Sequence, residues 1–126
     1  MDEFIYKEDT YKLIGIGMEI HWILGWGLRE IACKDAFEFE FKQKGISYQR
    51  EKNYKVFYKG VVLPHEFYAD FIVFDKIILE VKAKETLIEE DKVQTLNYIS
   101  ICQLPLGMLM NFGSKSLLYK WVINSD

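Results

Sequence analysis

Asp70, Glu80 and Lys82 have the types and spacing for metal-assisted hydrolysis at phosphorus. Glu80 and Lys82 lie two apart in Ile78-Leu79-Glu80-Val81-Lys82-Ala83, a run whose composition predicts a strand. Side chains alternate along a strand, so both point to one face. Their neighbours Leu79, Val81 and Ala83 are apolar. Charged groups in such company are costly to bury unless paired or bound to metal. A hard cation such as Mg²⁺ takes one or two carboxylates and fills its shell with waters and phosphate oxygens. Asp70 and Glu80 can supply those carboxylates. The ion would lower the pKa of a bound water and stabilise charge on the phosphate. Lys82 would orient that water or stabilise the developing negative charge. The competing reading is a surface salt-bridge pattern, because these residue types are common on exposed strands.

Register provides a check. In an antiparallel hairpin, directly opposed residues share a face. A two-residue turn at Asp75-Lys76 would oppose Asp70 to Val81 and put Asp70 on the wrong face. A three-residue loop, Phe74-Asp75-Lys76, would oppose Asp70 to Glu80. The site therefore predicts the odd-length loop, or a bulge that restores parity.

The elements that must hold these residues follow from periodicity. Tyr11 to Leu24 is a helix, with Leu13, Ile14, Gly17, Ile20, His21 and Leu24 at helical spacing. Gly25-Trp26-Gly27 breaks it. A second helix is predicted from about Leu28 to Lys44, carrying Ile31, Ala32, Ala36, Phe39 and further aromatics and stopping at Gly45. Strand follows from Ile46, with a turn at Lys59-Gly60, and then a hairpin around Asp75-Lys76. Pro64 and Pro105 are taken as boundary markers. Glu89 to Ile101 returns to helical spacing through Val93, Leu96 and Ile99. Leu106 to Asn111 is a short apolar run of the buried-strand kind, and a last strand follows. The order ααββ(β)αββ predicts a mixed α/β domain with a central sheet and helices on both sides. The Trp and Phe residues are expected in its core.

A chain of 126 residues suits a single domain over 1–126. Half of it is hydrophobic and 16% aromatic, enough for a packed core and against disorder. No apolar run reaches the roughly 18 residues that span a bilayer, and the acidic start, MDEFIYKEDT, lacks the layout of a secretion signal. The expectation is a cytoplasmic protein without a membrane partner. Cys33 and Cys102 match no zinc spacing and make no disulfide framework, so they are taken as reduced, mostly buried thiols. A thiol hydrolase built on either cysteine with His21 lacks a visible activating group. Gly15-Ile16-Gly17 and Gly25-Trp26-Gly27 follow no strand of a βαβ unit, so they fit close packing and a turn rather than a phosphate loop.

Asp70 followed by Glu80-Val81-Lys82 resembles the PD-(D/E)xK nuclease pattern, with Ala69 in place of the name-giving proline. Gln94-Thr95-Leu96-Asn97-Tyr98 resembles the QxxxY helix motif of the RecB-type exonuclease branch. HWILGWGLREIAC (residues 21–33) is similar to the signature of the small bacterial GxxExxY proteins, a largely uncharacterised branch of that superfamily. Tyr58 to Gly60, Ala69 to Ala83 and Gly107 to Gly113 also resemble it, so the likeness runs from about residue 13 to 121. One position departs: Cys33 stands where the final Tyr of GxxExxY belongs. If that Tyr contacts substrate or orients Glu30, the contact is lost here. If it only packs, Cys33 is a small hydrophobic replacement.

The resemblance implies a restriction-endonuclease-like fold and a nuclease that uses Mg²⁺ or Mn²⁺ on nucleic acid, with DNA favoured over RNA. It implies catalytic roles for Asp70, Glu80, Lys82, Glu30, Gln94 and Tyr98. The implied metal ligands are Asp70, Glu80, the Val81 carbonyl and Glu30. His21 is either a further metal ligand or a buried, hydrogen-bonded residue. The net charge of −3 disfavours phosphate binding overall. A nuclease would need a local basic face, offsetting metal ions, or a homodimer or protein partner. Lys42, Lys44, Arg50, Lys52 and Lys55 are either that face or ordinary solvated charge. The rival function is a catalytically silent domain of this fold that binds nucleic acid or protein in a regulatory role.

Overall fold

The computed structural model describes residues 6–123. Helices α1 (Lys7–Leu24) and α2 (Glu30–Lys44) come first, then strands β1 (Tyr48–Tyr58), β2 (Val61–Val73) and β3 (Ile77–Lys82). Helix α3 (Glu89–Cys102) and strands β4 (Leu106–Asn111) and β5 (Leu118–Ile123) complete the order. The strands form one sheet in the order β1-β2-β3-β4-β5. Only β3 and β4 run parallel; the other neighbours are antiparallel. A parallel pair needs a crossover, which α3 provides.

The mixed sheet has helices on both faces. On one, α1 and α2 bring Leu13, Ile20, Phe37 and Phe41 against Phe71, Leu79, Met108 and Met110. On the other, Ile99 of α3 packs with Ile72, Ile78 and Val122. Helix α1 comes so close to β4 that a Cβ on Gly17 would stand 2.7 Å from Met110 Sδ. That is the close packing the Gly15-Ile16-Gly17 run suggested, although Gly15 itself meets nothing.

The hairpin loop between β2 and β3 is Phe74-Asp75-Lys76, closed by the pair Val73↔Ile77. It has the odd length that parity demands. Phe74 and Asp75 both take left-handed backbone, φ 58° and 60°.

Four expectations need correction. Pro64 marks no boundary; it lies inside β2. The β1–β2 register shifts between Lys55 and Phe57, facing the Pro64 stretch, and a residue without an N–H is tolerated at such an irregularity. The buried stripe of α2 is Cys33, Lys34, Phe37 and Phe41, while Ile31 and Phe39 are exposed. In α3 the stripe is Asp91, Thr95 and Ile99, with Val93 and Leu96 outside. Trp22 and Trp26 are not in the core but 87% and 54% exposed. Trp22 stands two residues beyond buried Ile20, about 200° around the helix.

Candidate active site

Backbone pairing between β2 and β3 runs from Val73↔Ile77 to Phe71↔Leu79 and stops. The next pair in that register is Asp70 and Glu80. There the carboxylates replace the ladder. The Asp70 N–H donates to Glu80 Oε2 at 3.0 Å, and the Val81 N–H donates to Asp70 Oδ2 at 2.8 Å. Each acid thus caps the backbone of the opposite strand. Val81 is fully buried, and this bond fixes the peptide run whose carbonyl the resemblance assigns to a metal.

Glu80 is only 3% exposed. Burial, then the nearby Asp70 charge, pushes its carboxyl up to about 8. Glu30 is the first residue of α2, and its carboxyl is raised by burial and then by Asp70. Lys82 follows Glu80 on the same face and donates from Nζ to Gln94 Oε1 at 3.3 Å. Tyr98 lies one turn beyond Gln94. Its ring stacks on Phe67 at 4.2 Å, and Phe67 stacks on Tyr54 at 5.4 Å. The Tyr98 phenol is raised by burial, then by Glu80 and Asp70. Asp70, Glu80, Lys82, Glu30, Gln94 and Tyr98 are therefore linked by contact or by field around the place where β2 and β3 part.

His21 is bonded elsewhere. Its Nε2 is 2.9 Å from the Ser114 carbonyl, and its ring lies tilted against Phe112. Among the described residues, no three His, Cys, Asp or Glu side chains are gathered into a ready-made metal-binding group. The expected ligand set of Asp70, Glu80, Val81, Glu30 and His21 is thus not closed as it stands.

Sequence reasoning missed two residues. Lys34 of α2 is 8% exposed, and its Nζ donates to Asp70 Oδ1 at 3.1 Å and to Glu51 Oε2 at 3.0 Å. Glu51 lies in β1 with φ 54°, between the pairs Arg50↔Phe71 and Lys52↔Ala69, so it stands opposite Asp70. Burial works against the Lys34 charge, but the bonds to Glu51 and Asp70 prevail and raise its pKa. The signal was present: Lys34 is four residues from Glu30 and three from Phe37, on the stripe that meets the sheet.

The far end of β3 is anchored with equal care. Asn111 is fully buried and imitates a peptide: Oδ1 accepts from the Lys84 N–H and Nδ2 donates to the Lys84 carbonyl, each at 2.9 Å. Gly113 passes so close that a Cβ there would collide with the Lys84 backbone. Lys84 Nζ reaches Asp91 Oδ2 at 2.7 Å, and the same oxygen accepts from the Ile88 N–H, which caps α3. The strand carrying Glu80 and Lys82 is thereby tied to the helix carrying Gln94 and Tyr98.

The five basic residues from Lys42 to Lys55 form no open cationic face. Lys42 and Arg50 pair with Glu38, Lys44 with Glu40 and Lys55 with Glu66, while Lys52 lies over the Tyr54 ring. Both cysteines are free; Cys33 is buried and Cys102 half-buried. Burial raises both thiols, the reverse of activation.

A buried acid beside a second carboxylate, with its charge disfavoured, fits a hard divalent cation, whose binding would neutralise both. The comparisons agree with that chemistry. The PD-(D/E)XK nuclease superfamily profile matches residues 7–121. The chain belongs to this superfamily. Its nucleases generally use divalent metals. The solved structure described as the crystal structure of SSO0001 is similar in fold, with a TM-score of 0.58 at 17% identity. That match covers 71% of this chain and 47% of the other, so this chain spans about half of that protein's length. No curated protein matches the chain significantly. The restriction-endonuclease-like α/β fold is thus shared by a superfamily match and a solved structure. Among the described residues, no helix is long and apolar enough to cross a membrane.

Proposed function

We propose that this superfamily member is a metal-dependent nuclease that hydrolyses phosphodiester bonds in nucleic acid, DNA in preference to RNA. The observation that supports this best is the mutual capping of Asp70 and Glu80 at the point where β2 and β3 part. Asp70, Glu80 and the Val81 carbonyl would hold Mg²⁺ or Mn²⁺, with Glu30 assisting. The ion would supply Lewis-acid stabilisation of the phosphate and a more acidic bound water. Lys82, steadied by Gln94, stands on the Glu80 face with its ammonium available to the attacking oxygen or the developing charge. Tyr98, braced by its ring stack, offers a phenol to a phosphate oxygen.

Within the superfamily we place the chain with the GxxExxY proteins, on Gly27, Glu30 and the surrounding HWILGWGLREIAC run. Cys33 is buried, so the position of the missing Tyr is a packing position in this chain. A second reading, a catalytically silent domain that binds nucleic acid or a protein, draws on one observation. Both Asp70 oxygens are already engaged, by Lys34 and by the Val81 N–H.

Calorimetry with Mn²⁺ on the wild type and on Asp70→Ala separates the readings. The nuclease reading expects binding that the substitution removes; no binding, or equal binding by both, sinks it. Cleavage of single- and double-stranded DNA with Mg²⁺ or Mn²⁺, with Lys82→Ala as control, then tests the chemistry and the substrate form.

A further inference from the structure

The acid row of the site is longer than the two carboxylates of the motif. Glu51 of β1 stands opposite Asp70, and Asp70 stands opposite Glu80 of β3. One carboxylate thus comes from each of three adjacent strands. The Lys34 ammonium bridges Glu51 and Asp70, at 3.0 Å and 3.1 Å, and its side chain is almost wholly out of solvent. A lysine on a helix ordinarily snorkels outward. This one is turned inward from the buried stripe of α2, and its partner Glu51 holds an uncommon left-handed backbone to meet it.

We propose that Lys34 is a built-in cation occupying the second cation position of this acid row, so that the site takes a single divalent ion, on the Asp70–Glu80 side. The inference rests on the metal-dependent reading above and deepens it. Charge balance is consistent with it. When ionised, Glu30, Glu51, Asp70 and Glu80 exceed Lys34 and Lys82 by two negative charges, Arg50 beside Glu51 being matched more closely by Asp35 and Glu38, and one divalent ion neutralises that excess. Without Lys34 the excess grows, and the oxygens of Glu51 and Asp70 that now accept from its ammonium are freed for a second ion. Lys34 is in this view a positioning residue. It fixes Asp70 and sets the ion count, and it does not touch the substrate.

The test counts Mn²⁺ ions per full-length chain by calorimetry, with electron paramagnetic resonance to detect coupled ion pairs. Wild type and Lys34→Arg are expected to bind one ion. Lys34→Gln is expected to bind two, with a coupled spectrum, and Lys34→Gln combined with Glu51→Gln to return to one. A single ion in Lys34→Gln at any affinity, or two ions in wild type, would overturn the inference and leave the nuclease reading standing. No ion in any chain, wild type included, would overturn the metal-dependent reading and this inference with it. A second measurement needs no substitution. Acylation of lysine amines, read by mass spectrometry, is expected to leave Lys34 equally protected with and without Mn²⁺. Deprotection of Lys34 on Mn²⁺ binding would mean that the metal expels it, which contradicts the assignment.

Discussion

The Glu80 carboxyl is raised from an ordinary 4.5 to about 8 in the fold, by burial and then by Asp70. A carboxyl whose folded pKa lies above its unfolded one is penalised for ionising. The penalty is absent below the unfolded value and grows as pH rises between the two. Glu80→Gln keeps an oxygen for the Asp70 N–H and cannot ionise. In metal-free buffer it is expected to be more stable than wild type at pH 7, by at least about 1 kcal/mol, and indistinguishable near pH 4. Thermal unfolding across that range measures it; a gain that is constant with pH would contradict the assigned cause. Lys82→Ala is expected to lower cleavage by roughly 10²-fold or more while leaving Mn²⁺ affinity nearly unchanged, because Lys82 acts on the water or phosphate rather than on the ion. Single-turnover kinetics beside calorimetry reads both. At this scale the sequence was informative where chemistry is encoded locally. Glu80 and Lys82 share a strand, and Gln94 and Tyr98 share a helix turn. Lys34 and Glu51 were not recovered, because each is a common charged residue whose partner comes from a distant segment and meets it only after the sheet assembles.

Parity along the β2–β3 hairpin was the element-scale expectation with the sharpest consequence, and the three-residue loop meets it. Helix α1 was legible for the same reason as most of β4: apart from Thr10 in one and Asn111 in the other, its buried side is apolar, so periodicity and burial largely coincide. In α2 and α3 they diverge. Each turns polar residues inward, Lys34 in one and Asp91 and Thr95 in the other, and leaves apolar ones outside. Lys34 and Asp91 are the ones that tie the helices to the site strands, while Thr95 bonds the Asp91 carbonyl within α3, so the periodic signal is weakest where the helices do their positioning. Asn111 is the counterpart on β4. Asn111→Ala would leave the Lys84 N–H and carbonyl without their partners in a half-buried position. The expected cost is about 2–4 kcal/mol, from the two lost Lys84 hydrogen bonds with unsatisfied groups and the longer Gly113 N–H bond lost beside them. Because Lys84 links β3 to α3 through Asp91, amide exchange at Ile88 and Asp91 should quicken along with the fall in stability. Unchanged exchange there would show that the clamp does not reach α3.

For the whole molecule, charge sets how nucleic acid can be held. The chain carries −3 overall, and most of the cations between Lys42 and Lys55 are committed to Glu38, Glu40 and Glu66. Phosphate contacts release counterions, and affinity then falls with salt in proportion to the number of phosphates neutralised. With that stretch largely committed, and Arg29 beside Glu30 without an ion-pair partner among the described residues, few such contacts are expected. Aromatic surface remains as another source of affinity: Tyr98 lies beside the acids, backed by Phe67, whose own ring is taken up between Tyr98 and Tyr54, and Trp26 is exposed in the turn that leads into Glu30. Base stacking on such rings is sequence-tolerant, neutralises no phosphate, and requires bases that are free of a duplex. Fluorescence anisotropy of wild-type protein with labelled DNA, in chelator so that nothing is cut, is therefore expected to show tighter binding to a single strand than to a duplex. The slope of log K against log salt is expected to be shallow, about −2, equivalent to roughly three phosphates. A slope near −6 with preference for duplex would place the affinity on an extended cationic surface. The paired lysines and arginine would then have to exchange their carboxylate partners for phosphates when DNA arrives.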